Sequence, residues 1–202
     1  MSRYVKFTHE RTGAEIAPID QLAELNECRR KLHGLHLIGV DSNGIGFGNL
    51  SVRDGATCNF HITGSATGGL AELTLGDCVR VVAYDFEQNW VRYEGAAIPS
   101  SESLTHAAIY ESDPMASAVI HCHDSVLWAR LLGRVSTTAQ AAAYGRPEMA
   151  YEIIRLFDVG DVRTRKIFVM AGHEGGIVTF GENFEHAFDI LTRERSGSST
   201  LN

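Results

Sequence analysis

The chain has 202 residues, 44% of them hydrophobic and 21% charged, with a formal net charge of -7. That length suits one domain with a sizeable core, and the composition is ordinary for a globular protein. The acidic balance speaks against a general binder of nucleic acid or of anionic membranes. It leaves room for an anionic substrate, because backbone amides bind phosphate locally without net basic charge. No apolar run approaches the roughly 18 residues of a membrane span. Met1 to Ala17 is charged and lacks the apolar stretch of a secretory signal. Cys28, Cys58, Cys78 and Cys122 are scattered, with no Cys-x-x-Cys. We therefore expect a cytoplasmic protein with reduced thiols.

Residues 1–17 are polar and read as a loose N-terminal arm. Asp20 to His33 reads as a helix, with Leu22, Leu25, Cys28 and Leu32 on its apolar face and Gly34 as its stop. Asp41 to Gly48 is a glycine-rich loop. Asn49 to Arg53 and Thr57 to Thr63 read as strands paired around Asp54-Gly55. A second small-residue loop runs from Ile62 to Leu70. Cys78 to Asp85 alternates as a strand and Val91 to Gly95 pairs with it. Ser101 to Asp113 is expected to be a helix with a serine N-cap. Ala116 to His123 is a strongly apolar strand, followed by helices over Asp124 to Leu132 and Glu148 to Phe157. Lys166 to Ala171 and Ile177 to Phe180 read as strands, Asn183 to Glu194 as the closing helix, and residues 196–202 as a flexible tail. With no internal repeat and no linker, residues 1–202 are expected to form a single α/β domain on a mainly antiparallel sheet.

His121-Cys122-His123 carries the chemistry. Strand side chains alternate faces, so His121 and His123 project together, with Cα atoms roughly 7 Å apart, and Cys122 points away. Two imidazoles so placed can converge on one ion. His173, within Ala171-Gly172-His173-Glu174-Gly175, supplies a third. Three protein ligands with one position open is the pattern of a catalytic zinc site. A bare His-x-His is more often a pair of packed histidines, so the neighbouring motifs matter. Pro99-Ser100-Ser101-Glu102 opens a helix, where free N–H groups and two hydroxyls suit an anion. Glu102 is placed there as a general acid/base; a plain helix cap is the alternative. Gly46-Phe47-Gly48-Asn49 and Thr63-Gly64-Ser65-Ala66-Thr67-Gly68-Gly69 are two candidate cradles for a phosphate or hydroxyl. Neither is a nucleotide P-loop, because no Gly-Lys-Ser/Thr follows. His106 lies one turn after Glu102 and reads as an orienting or packing residue; His61, on a strand beside the Thr63 loop, needs no function, a site role being its minority reading. His9, His33, His36 and His186 read as surface or packing residues.

Taken in order, GNLS (Gly48–Ser51), ITGSATG (Ile62–Gly68), PSSESLTHAAIY (Pro99–Tyr110), AVIHCHDS (Ala118–Ser125) and AGHEGG (Ala171–Gly176) resemble the class II aldolase/adducin family. That family includes zinc-dependent fuculose-, rhamnulose- and ribulose-phosphate aldolases and epimerases, and the resemblance spans about Leu22 to Ile190. It implies one zinc per chain on His121, His123 and His173, Glu102 as the catalytic carboxylate, and Gly48, Asn49, Ser65, Ser100 and Ser101 around a substrate phosphate. It implies a three-layer α/β/α fold on a mainly antiparallel sheet, and a homotetramer with active sites at subunit boundaries. The implied activity is an aldehyde-lyase (aldolase) of carbohydrate metabolism, acting on a small ketose or ketose phosphate through a metal-stabilised enediolate. A dehydratase, epimerase or decarboxylase on the same site is the alternative, and a non-catalytic adducin-like binding module a second. The expected partner is a small sugar or sugar phosphate, with no nucleic acid and no membrane. The chain departs from the family where Thr-Pro-Ser/Thr-Gly is usual and Thr63-Gly64-Ser65-Ala66 stands instead. It also has Glu174 after His173 and a short segment, Arg134 to Arg146, where sugar-phosphate aldolases have a longer one.

Overall fold

The computed structural model describes residues 6–70 and 72–197. Its spine is a nine-stranded sheet. The strands in chain order are β1 (Thr8–Arg11), β4 (Asn49–Arg53), β5 (Phe60–Thr63), β6 (Cys78–Asp85), β7 (Trp90–Glu94), β8 (Ala118–His123), β9 (Ser136–Thr137), β10 (Ile167–Val169) and β11 (Gly176–Gly181). They lie in the order β1-β7-β6-β5-β4-β8-β11-β10-β9. Two further short strands, β2 (Gly39–Val40) and β3 (Gly46–Phe47), form a separate hairpin. The sheet is mixed: its outermost pairings, β1 with β7 and β9 with β10, are parallel and the pairings between them antiparallel.

Helices cover both faces, giving the three layers expected. On one face lie α2 (Ser103–Ser112), α4 (Pro147–Val159) and the short α5 (Val162–Arg165); on the other lie α1 (Leu22–Gly34), α3 (Ser125–Leu131) and α6 (Phe184–Ser196). Strand β8 shows the origin of this layering. Val119 packs among the α2 and α4 side chains, while Ala118, Ile120 and Cys122 pack against α1, α3 and α6. A central strand buried on both faces reads as a continuous apolar run rather than an alternating one. Cys122 therefore does point away from the face that carries His121.

Several boundaries differ from the sequence reading. The arm is not wholly loose. β1 is an edge strand whose residues are all exposed, so it carries no apolar alternation and is held by backbone pairing with β7. Glu102, not a serine, is the N-cap of α2, and no side chain caps that helix. The glycine-rich loop after α1 contains the β2–β3 hairpin. α6 continues to Ser196 and stops where Gly197 adopts φ 73°. Residues 1–5 of the expected arm and 198–202 of the expected tail lie outside the described residues.

Candidate metal centre

The register of β8 builds the site. β4 and β11 flank it, pairing Asn49 with His121, Val178 with His121 and Gly176 with His123. Ladders on both sides fix the direction of His121, and His123 is held by β11 on one side and by its N–H to Leu37 O at 2.8 Å on the other, while Gly48, just before β4, adopts φ 77° and lies too close to Ile38 for any side chain. That combination demands glycine. His173 sits in the turn between β10 and β11, closed by His173 N–H to Met170 O at 3.1 Å and Gly176 N–H to His173 O at 2.8 Å. A Cβ on Gly172 would collide with the Ala142 carbonyl, so the turn can seat against that loop only with glycine there.

The three imidazoles converge. Each offers a nitrogen, and these atoms lie within 4.8 Å of one another. His121 Nε2 and His123 Nε2 are 3.2 Å apart. His121 Nδ1 faces the Ile177 carbonyl at 3.3 Å, an acceptor that places the proton on Nδ1 and leaves the Nε2 lone pair free. Burial holds all three rings neutral, aided for His121 by its histidine neighbours. His121 is well below its ordinary pKa, His123 is lowered to about 4 and His173 to about 3. Neutral imidazole is the form that binds metal. The cluster fits a metal ion on its donor chemistry.

Glu102 is 3% exposed and lies beside His173. Its Oε2 accepts a 2.6 Å hydrogen bond from Thr105 Oγ1, while Oε1 is buried without a partner, 4.0 Å from His173 Nε2. Burial raises its pKa to about 7, against the opposing pull of the Thr105 hydroxyl and Lys6. A carboxyl held near neutrality, with one oxygen open, can both take and give a proton.

The cavity beside it has a volume of about 850 Å³. Every residue of the expected site lines it: Gly48, Asn49, Ser65, Ser100, Ser101 and Glu102 with the three histidines. Asn49 Oδ1 is buried and unpartnered. Ser100 Oγ accepts from the Glu102 amide at 3.3 Å. Ala66, standing where the family has glycine, has φ 64°. The loop thus takes a left-handed conformation without the residue that adopts it most easily.

Other placements were not read from the sequence. Tyr144 lies against His173, ring centroids 4.2 Å apart. It follows no periodic segment and carried no signal. Thr105 stands three residues after Glu102, a helical spacing that could have exposed it. His36, read as surface, lines the cavity, as do Asp124 and Arg195, paired at 3.3 Å. His106, read as an orienting or packing residue, is buried with Nδ1 2.6 Å from Ser51 Oγ, itself 2.7 Å from Tyr110 Oη. His61 is buried on β5 and does not line the cavity.

Solved structures bear on this geometry. An L-fuculose 1-phosphate aldolase shares 25% identity over 92% of this chain and 85% of its own, with a TM-score of 0.68. An L-fuculose-1-phosphate aldolase from Thermus thermophilus shares 20% over 91% and 93%, TM-score 0.62. A sugar-phosphate aldolase from Thermotoga maritima shares 16% over 89% and 92%, TM-score 0.63. Identities below 25% speak for the fold alone. No curated protein matches the chain by sequence. Residues 34–193 match the family of the class II aldolase and adducin N-terminal domain, and the chain belongs to that family.

Proposed function

We propose that this protein is a zinc-dependent aldehyde-lyase that cleaves a carbon–carbon bond in a small ketose or ketose phosphate. The observation that carries this reading is the convergence of three neutral imidazole donors, one of which, His173, stands 4.0 Å from the open oxygen of a buried carboxyl, Glu102. The chemistry zinc supplies when held by His121, His123 and His173 is Lewis-acid stabilisation of charge developing on adjacent hydroxyl and carbonyl oxygens. Glu102 moves the proton at its Oε1 while Thr105 fixes its other oxygen. Asn49, Ser65, Ser100, Ser101 and the Gly48 backbone, which line the same cavity, hold a phosphate or hydroxyl. A non-catalytic binding module has no use for an acid so buried and an imidazole trio so placed. Dehydratase, epimerase and decarboxylase readings share the same charge stabilisation, and the products separate them.

We also place the protein in the cytoplasm and in a homotetramer whose neighbours wall the cavity. Val40, Ile45 and Leu70 are large apolar side chains left exposed, and such surface suits a subunit contact. Metal analysis of purified protein is expected to give about one zinc per chain, lost when His121 and His123 are both replaced by Ala, since one remaining neutral ligand does not retain the ion. The zinc form is then screened against short ketoses with and without phosphate. Release of an aldehyde supports the lyase; an epimer, water loss or carbon dioxide selects an alternative. Full zinc occupancy in the double variant refutes the centre.

A further inference from the structure

Beneath the Ser65–Gly68 wall of the cavity lies a buried cation that the mechanism does not use. Arg29, on α1, is 0% exposed. Among the described residues no carboxylate forms an ion pair with it, and Asp77 is only near enough to favour its charge from a distance. Its guanidinium instead gathers backbone carbonyls: Nε and Nη2 donate to Leu70 O at 3.2 and 3.0 Å, and Nη2 donates to Gly68 O at 3.1 Å and to Thr67 O. The neutral ring of His33, one turn on, stands 3.4 Å from Nη2. Nη1 is buried and has no partner. One turn before Arg29, Asn26 pins the same strap, donating to Leu73 O at 2.8 Å and accepting from Leu73 N at 2.9 Å.

The peptide unit is planar and trans, so a carbonyl and the following N–H point in opposite directions. Turning the Thr67 and Gly68 carbonyls onto Arg29 turns the amides of Gly68 and Gly69 away from it. The amides of Ala66, Thr67 and Gly68 have no hydrogen-bond acceptor among the described residues, and all three residues line the cavity. Burying an unpaired charge is costly, and simple loop anchoring is within reach of neutral donors. The family's proline is absent here at Gly64, so this strap lacks that source of stiffness.

We propose that Arg29 is a positioning residue for the substrate's anionic group, holding the Ser65–Gly68 loop by its carbonyls and lending that loop a positive charge that no ion pair neutralises. The proposal rests on the phosphate reading of the cavity given above. An anion accepting from the Gly68 amide lies within about 8 Å of the guanidinium, summing hydrogen-bond and peptide dimensions. At the effective dielectric of protein sites, a charge at that range is worth roughly tenfold in affinity after some screening.

The test is binding of inorganic phosphate to the zinc-loaded protein by calorimetry, in the wild type, Arg29→Lys and Arg29→Gln. Lys keeps the charge and loses the fork; Gln keeps a donor and loses the charge. We expect Arg29→Gln to bind roughly tenfold more weakly at unchanged zinc content, and Arg29→Lys to recover part of the loss. Wild-type affinity in Arg29→Gln, or equal losses in both variants, overturns the role of the charge while leaving the phosphate site standing. A wild type that binds no phosphate overturns the phosphate reading and this proposal with it. Should neither variant fold, the Arg29 Nε–H signal of wild-type protein labelled with ¹⁵N-arginine decides. A shift that saturates with phosphate supports the proposal, and a static signal refutes it.

Discussion

His106 makes folding stability pH-dependent in a way that can be isolated. The ring is fully buried on α2, its Nδ1 on Ser51 Oγ and its Nε2 without a partner. Burial lowers its pKa from 6.5 to about 3. Above pH 6.5 both folded and unfolded chains hold it neutral, and it costs nothing. As pH falls below 6.5, the unfolded chain takes a proton that the folded chain refuses, so stability drops until pH reaches about 3. Each unit of pH in that window is worth about 1.4 kcal/mol, so at pH 5 the loss is about 2 kcal/mol. Being wholly buried, the group needs no discount for solvent screening. His106→Gln keeps a polar partner for Ser51 and removes the titration. Urea unfolding of the metal-free wild type and variant at about pH 7.5 and about pH 5 is the assay. The other histidines titrate in both proteins and cancel in the difference. We expect the wild type to be the more stable at the higher pH and its advantage to shrink by about 2 kcal/mol at the lower. An advantage that stays constant across that range refutes the reasoning.

Two further outcomes follow from the same geometry. Glu102→Gln removes the proposed proton carrier while leaving the three imidazoles, so zinc content and fold are expected to persist as turnover of any substrate found falls about 10²–10⁴-fold; turnover at the wild-type rate would reduce Glu102 to the residue at which α2 begins. Ala66→Gly relieves a left-handed backbone at φ 64° and is expected to raise the melting temperature of the metal-free protein, by about 2–4 °C for a gain of about 1 kcal/mol; an unchanged or lowered temperature would show that the loop is not strained there.

How much of this could be read from the sequence depends on whether a feature is local. β4 and β6 begin and end where the sequence reading put them, because glycine and polar residues bound apolar or alternating runs. The common face of His121 and His123 follows from strand geometry alone. The edge strands escaped for the opposite reason: β1 is wholly exposed and β9 has two residues, so neither leaves a periodic trace. The cap of α2 was misplaced because Ser100 and Ser101 have the right chemistry for an N-cap, yet the chain enters the helix at Glu102, whose buried carboxyl then faces His173. Arg29 and Tyr144 were illegible, since the carbonyls and the ring they meet stand far away in sequence and come within reach only once the sheet has closed.

The location of the centre also has a physical logic. β8 lies inside the sheet, hydrogen-bonded on both sides, so His121 and His123 have little freedom to follow a displaced ligand. His173 and Glu102 come instead from a turn between β10 and β11 and from the start of α2. In the zinc site proposed above, His121 and His123 would set the position of the ion, while His173 and Glu102 would complete its surroundings. Desolvation reinforces the division. It keeps the imidazoles neutral and therefore able to ligate, and the same burial lifts Glu102 toward neutrality, where a carboxyl exchanges protons most readily. One environment thus prepares donors and acid together, and a substitution that wets the cavity would disturb both at once.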